Sequence, residues 1–330
     1  MYINAVGFFF PGAENTDQEK VSKILNEERI YTGCVIDSDE SMNSREYRRM
    51  DRFSVIAMQG MGSLMQDVVE ADSKSEYDVA TIVNTSYGPL ETNKEFIASI
   101  HEGDGSVASP IVFSHTVNNA AIGYICKKYQ LKGPSTLLLS SNAFGVAEAI
   151  LNDEKAKCAY VLGVDQNCPD MEGFFKEKKI NVVEAAAAIE LGSSKNENTY
   201  AELVAWSEGN LGGHPFFEDE NIRYESVNKM IDGVMNSPEV KGENIQYAFI
   251  NAFDKELIKM QEQKIESINA NIKIVNLYEV IGETLGANSC MAIGLVSKLY
   301  KEGFVERDKQ CLVTNYDISG NYTVYLVGGA

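Results

Sequence analysis

The stretch Leu131–Ile150, LKGPSTLLLSSNAFGVAEAI, sets a turn, a short apolar strand, a sharp bend and a helix in succession. Such a strand-to-helix bend presents one side chain into a pocket beside unpaired helix N–H groups, the arrangement of a nucleophile elbow built for acyl transfer. The residue presented is Asn142. A carboxamide cannot be acylated, because its nitrogen lone pair is delocalised and it has no thiolate-like form. The other nucleophile candidates are six cysteines, Cys34, Cys126, Cys158, Cys168, Cys290 and Cys311, scattered singly with no CxxC pair. They read as small core residues or idle thiols rather than ligands or nucleophiles. Three histidines, His101, His115 and His214, are too few and too dispersed for a His₂ or His₃ metal centre, so no metal and no cofactor are expected.

The elements that must hold this bend alternate along the chain. Residues 3–10 (INAVGFFF), 78–84 (DVATIVN), 158–166, 184–192 (EAAAAIELG), 246–252 (QYAFINA) and the pair within 311–329 read as buried strands. Residues 17–29, 48–71, 95–101, 109–130 and 224–236 show helical spacing. This alternation predicts an α/β protein whose second half, from residue 196, repeats the strand-helix order of residues 1–195.

With 330 residues, 44% apolar and 23% charged, the chain has material for a large core. No run nears the roughly 18 to 20 apolar residues of a membrane span, and the N-terminal MYINAVGFFFPGAE lacks a basic n-region and a cleavage site. A cytoplasmic protein is the expectation. The net charge, 29 minus 48 or −19, disfavours nucleic acid, because phosphates would be repelled and no counterions released.

Several segments together resemble the β-ketoacyl synthases, condensing enzymes of the thiolase superfamily. Counting from Gly133 of the Gly-Pro pair, Asn142 is tenth, where the family places its nucleophilic Cys. Met50-Asp51-Arg52-Phe53 reproduces the family's RMDRF-type helix start, and SPIVFSHTVNNAAIG (109–123) is similar to the segment before the active-site strand, with Asn119, Ala120, Ala121 and Gly123 allowing close helix approach. Asn251-Ala252-Phe253-Asp254 stands at the Asn-Ala-His-Gly-Thr motif, so Phe253 takes the place of the first catalytic His. In Leu277–Gly294, Tyr278 occupies the Lys position and Glu283 the second His. Asn315, Gly320 and Asn321 match the closing loop, where Asp317 and Ser319 replace two gating glycines. Between Gln166 and Glu184 the family's long cap is trimmed to a short connection.

The resemblance implies the thiolase fold: duplicated βαβ-rich halves in a five-layer αβαβα arrangement, with the elbow strand near a dimer interface. Condensation needs a thiolate and two imidazole-type groups. With Asn142, Phe253 and Glu283 in their places, no condensing activity is expected of this chain alone. The resemblance is strongest to chain length factors, Cys-less subunits that pair with a Cys-bearing ketosynthase in type II polyketide and aryl-polyene systems and close its acyl tunnel. It implies a heterodimer within a β-ketoacyl-[acyl-carrier-protein] synthase complex, the carrier docking mainly on the partner, and tunnel or gate positions at Pro89, Thr92, Phe96 and Phe113. Two alternatives stay open: a malonyl-carrier decarboxylase that supplies an acetyl primer, and a degenerate homodimer that binds an acyl group or acts as a scaffold.

Overall fold

Alternate residues of the apolar runs enter two different cores, which is what a strand buried on both faces requires. A computed structural model describes residues 1–12, 18–37, 44–69, 75–102, 108–140, 142–212, 215–216, 224–240 and 242–330. His214 lies outside the described residues. The strands are β1 (Tyr2–Phe9), β2 (Val79–Thr85), β3 (Ser135–Leu139), β4 (Cys158–Asp165), β5 (Ala185–Gly192), β6 (Ala201–Asn210), β7 (Ile245–Asn251), β8 (Lys273–Asn276), β9 (Gln310–Tyr316) and β10 (Asn321–Gly329). The helices are α1 (Gln18–Ile24), α2 (Arg52–Asp67), α3 (Leu90–Glu102), α4 (Pro110–Ser114), α5 (Asn119–Lys128), α6 (Ala143–Asn152), α7 (Pro169–Glu177), α8 (Tyr224–Met235), α9 (Lys255–Ile268), α10 (Leu277–Ile281) and α11 (Asn288–Lys301).

The strands lie in the order β3-β2-β4-β5-β1-β6-β10-β9-β7-β8. In the first five, β2 is parallel to β3 and β4, while β5 runs antiparallel to β4 and β1. The second five repeat this strand for strand: β7 is parallel to β8 and β9, and β10 is antiparallel to β9 and β6. The two groups meet where β1 pairs with β6 through Tyr2↔Glu202 and Ile3↔Ala201.

Helices α2 and α5 cover the outer face of the first group, where Phe53, Met58 and Met61 meet Tyr160, Leu162 and Ala186. Helices α8 and α9 cover the outer face of the second, where Ile231 and Leu257 meet Ile250 and Leu326. Between the groups lie α6 and α11, packed with Phe8, Val161 and Ile189 from one side and Phe249, Val313 and Tyr325 from the other. The result is five layers, αβαβα. Helix α11 is buried nearly all round, and a Cβ at Gly294 would stand 2.8 Å from the Phe8 ring, so only glycine lets that helix reach β1.

The Met-Asp-Arg-Phe segment starts α2 with a buried clasp. Arg52 Nε donates to Glu184 Oε1 at 2.8 Å, Nη2 donates to Glu184 Oε2 and to the Ile36 carbonyl, and Ile36 N donates to Glu184 Oε2. A bidentate guanidinium is the partner that a carboxylate with a fully buried side chain requires.

The 109–130 stretch departs from a single helix. Ser109 caps the short α4 through Val112 N, and α5 restarts at Asn119. Of the small residues expected to seat this helix, Ala121 is fully buried, whereas a Cβ at Gly123 would meet nothing within 4 Å.

Candidate functional site

The bend after β3 is formed by Ser140, whose φ of 42° is a left-handed conformation uncommon for a residue with a Cβ. Ser140 is held on both sides: its N–H donates to the Thr85 carbonyl at 2.9 Å and its carbonyl accepts from Asn321 Nδ2 at 2.7 Å. Asn142 follows as the N-cap of α6. Its Oδ1 accepts from Phe144 N at 3.1 Å and Gly145 N at 3.3 Å, and the Tyr325 hydroxyl approaches the same oxygen at 3.4 Å. The helix donors that would face an anion are therefore taken by the amide itself. Asn142 is 8% exposed, and its Nδ2 is buried without a partner.

Asn142 opens on a cavity of about 390 Å³ that sequence patterning does not reveal. Asn84, Asn210, Asn288, Asn315 and Asn321 line it with Ser140, Ser289, Thr323, Asp317 and Glu208. No Lys, Arg or His is among its lining residues. Burial pushes the Asp317 carboxyl up to about 6, against bonds from the Asn321 side chain and from the N–H groups of Asn321 and Ser319. Beneath the cavity, burial also raises Asp165, although Thr85 Oγ1 and the N–H groups of Ser86, Tyr87 and Gly286 donate to it. Asp165 thereby ties the loop after β2 to the turn at Leu285–Ala287, a closeness that a Cβ at Gly286 would break at 2.5 Å from Thr85 Cα.

The other three residues that the sequence resemblance sets at condensing positions do not line this cavity. Phe253 stacks on Phe216, with centroids 5.8 Å apart at 22°, and meets the Tyr316 ring at 5.2 Å. The Tyr278 hydroxyl accepts from Asn181 N at 3.0 Å and is pushed up to about 12 by burial. Both rings pack against an apolar cluster of Met171, Phe175, Ile180, Val182, Leu285 and Ile318. Glu283 is 1% exposed, and burial pushes its carboxyl up to about 8. It accepts from Leu285 N at 2.9 Å and from Asn288 Nδ2. Glu283 thus fixes the left-handed Leu285, φ 55°, in a structural clasp.

The four residues expected to gate a tunnel sit elsewhere. Pro89 and Thr92 are buried at the start of α3, and Phe96 meets Phe113 of α4 with centroids 5.3 Å apart. None of the four lines the elbow cavity. Phe113 is 56% exposed, and Ile97, Ile100, Ile111, Val117 and Leu139 are exposed as well.

A second feature escaped the sequence reading. Arg45, Arg48, Arg49, Lys127 and Lys128 gather around Met50, Met58 and Tyr124 in a cavity of about 590 Å³, with Lys128 paired to Glu46 at 2.8 Å. The charge is less evenly spread than the sequence order suggests. Among the described residues no group of three His, Cys, Asp or Glu could hold a metal ion, and no helix is long and apolar enough to cross a membrane.

These layers, strand order and elbow are those of the thiolase fold of the ketosynthases. Solved structures that share the fold include the ishigamide ketosynthase/chain length factor, with a TM-score of 0.82 at 13% identity over 99% of this chain and 98% of that one. The ketosynthase ApeO in complex with its chain length factor ApeC, from Xenorhabdus doucetiae, gives 0.76 at 16% identity over 100% and 98%. A β-ketoacyl synthase from Burkholderia phymatum gives 0.76 at 13% over 100% and 99%. No family model and no curated protein matches the sequence.

Proposed function

We propose that this chain is a non-catalytic ketosynthase-like subunit of the chain length factor type. It forms a heterodimer with a Cys-bearing ketosynthase and helps to define the acyl tunnel of a type II polyketide or polyene synthase. The observation that carries this reading is Asn142 itself: the elbow is intact, but its presented side chain is an amide whose oxygen caps the helix behind it. The acyl-carrying and proton-moving positions are filled by an amide, an aromatic stack and a buried structural carboxyl.

The surface of the chain supports a partner. Edge strand β3 has one side unpaired, and Leu139 at its end is 58% exposed. Helix α4 buries none of its residues. An exposed apolar helix and a free strand edge are each features that a second chain can cover. On this reading Phe96 and Phe113 form one wall of the shared tunnel, and Thr92, one helical turn from Phe96, lies beneath it. The net charge of −19 leaves the acidic carrier protein to dock mainly on the partner, with the cation cluster around Arg48 and Lys127 as the contact this chain can offer.

Co-expression with a Cys-bearing ketosynthase, followed by native mass spectrometry, tests the reading. The expected result is a one-to-one complex. A partner-free homodimer that ignores the ketosynthase would favour the scaffold alternative instead.

A further inference from the structure

The cavity of about 590 Å³ lies between the segment that leads into α2 and the end of α5. Arg45, Arg48 and Arg49 line it from the first, Lys127 and Lys128 from the second. Cations in the last turn of a helix complement its macrodipole, which accounts for the two lysines. It does not account for three arginines on the same space.

We propose that this cavity binds a polyphosphorylated small molecule with a flat apolar body, of the nucleoside diphosphate class. The inference goes beyond the subunit reading, in which these cations meet a carrier protein from outside, and it stands or fails independently of it.

Charge selects the first part of the ligand. The lining holds five cations against one carboxylate, Glu46, which is paired with Lys128. Among the described residues, Arg45, Arg48, Arg49 and Lys127 have no acidic partner. In a chain of net charge −19, four like charges gathered without counter-ions repel one another, and a ligand with several negative charges removes that repulsion. Guanidinium forks take phosphate oxygens two at a time, so three arginines on one space suit neighbouring phosphates better than a lone carboxylate.

Burial selects the second part. The four cations without acidic partners are exposed, whereas Met58 is fully buried and Met50 and Tyr124 are half-buried. The charges therefore form the rim and the apolar side chains the inner wall. The Tyr124 ring is held in place, its hydroxyl lying 2.7 Å from Nε2 of the buried His115. Two thioethers and a fixed aromatic ring suit a flat ring system. A space of this volume admits a small molecule and not a folded domain.

Isothermal titration calorimetry of the whole chain at low salt, with ADP, pyrophosphate, adenosine and sulfate as separate probes, tests the assignment. ADP is expected to saturate at one per chain and to weaken as salt is raised. Pyrophosphate is expected to bind about tenfold more weakly, and neither adenosine nor sulfate to saturate up to about 5 mM. The double variant Arg48→Gln, Arg49→Gln should weaken ADP at least about tenfold. The double variant Lys255→Gln, Lys259→Gln, which removes the same charge from exposed positions on α9, should leave it unchanged. Tyr124→Ala should reduce ADP to the affinity of pyrophosphate while pyrophosphate itself binds as before, which also shows that the variant is folded. No saturation by ADP up to about 5 mM, saturation by sulfate, equal affinities for ADP and pyrophosphate, or an equal loss in the α9 variant overturns the assignment.

Discussion

The side-chain oxygen of Asn142 lies 3.1 Å from the backbone nitrogen of Phe144 and accepts its hydrogen. The residue presented by the elbow is thus turned back to serve the helix it precedes. In a working elbow the same helix end is left open for an incoming oxyanion. Here the amide occupies those donors itself.

Removing the cap should be felt as lost stability, not lost chemistry. Asn142→Ala is expected to cost about 1 kcal/mol, within the roughly 0.5–2 kcal/mol range of N-cap losses, while Asn142→Ser, which keeps a capping oxygen without adding charge, stays closer to the parent. Urea denaturation followed by circular dichroism measures the difference. An unchanged midpoint in Asn142→Ala would show that the cap contributes nothing.

The Arg52–Glu184 clasp should behave as a buried pair. Substituting Arg52→Met leaves a buried carboxylate, which costs about 3–5 kcal/mol. Arg52→Lys should recover little of it, because a lysine cannot reproduce the forked contact that also reaches the Ile36 carbonyl. Recovery to parental stability in Arg52→Lys would mean that the fork is not what holds α2 to β5.

Glu283 gives the chain a pH dependence of known sign. Burial, with Asp317 and Asp165 nearby, lifts its carboxyl from an ordinary 4.5 to about 8. Between those values the folded chain holds a proton that the unfolded chain has released. The stability from this group is therefore fully present below about pH 4.5 and is lost as the pH rises through about 8. Asp317, pushed up to about 6, acts in the same direction over a lower interval. Denaturation midpoints at several pH values should fall toward alkaline pH, and Glu283→Gln should flatten the upper part of the curve. A rising profile that the substitution leaves untouched would contradict the assignment.

Phe253 is expected to matter for packing. Phe253→Ala should cost near the lower end of the roughly 3–5 kcal/mol seen for core phenylalanines, since it loses its contacts with Phe216 and Tyr316 while being only partly buried. Phe253→His should confer no condensing activity, because Asn142 would still present no thiolate. The first is read by denaturation, the second by chain-extension assay.

In the complex with a ketosynthase, Phe96→Ala should lengthen the product and Thr92→Phe should shorten it. Mass spectrometry of the products reads both. Unaltered product length in both variants would remove these residues from the tunnel wall.

The elbow was legible from sequence because it is local: a strand, a bend and small residues fall within Leu131–Ile150. The buried strands were legible because a strand covered on both faces is a continuous apolar run, as in Ala185–Gly192. Strand β6 was not, since its Glu202, Ser207, Glu208 and Asn210 interrupt any alternation, and its place is fixed by pairing with β10. The polar cavity was hidden for a related reason. Asn84, Asn142, Asn210, Asn288 and Asn321 belong to distant segments that only the sheet order and the central helices bring together. The same holds for Arg48 and Lys127, which share a surface through the packing of α5 on α2.

The most direct test of a non-catalytic elbow is intact-protein mass spectrometry of this chain alone, after incubation with an acyl-loaded carrier protein and malonyl-loaded carrier. The account predicts an unchanged mass and no extended product until a Cys-bearing ketosynthase is added. An acyl adduct on this chain, together with chain extension in the absence of any partner, would contradict it.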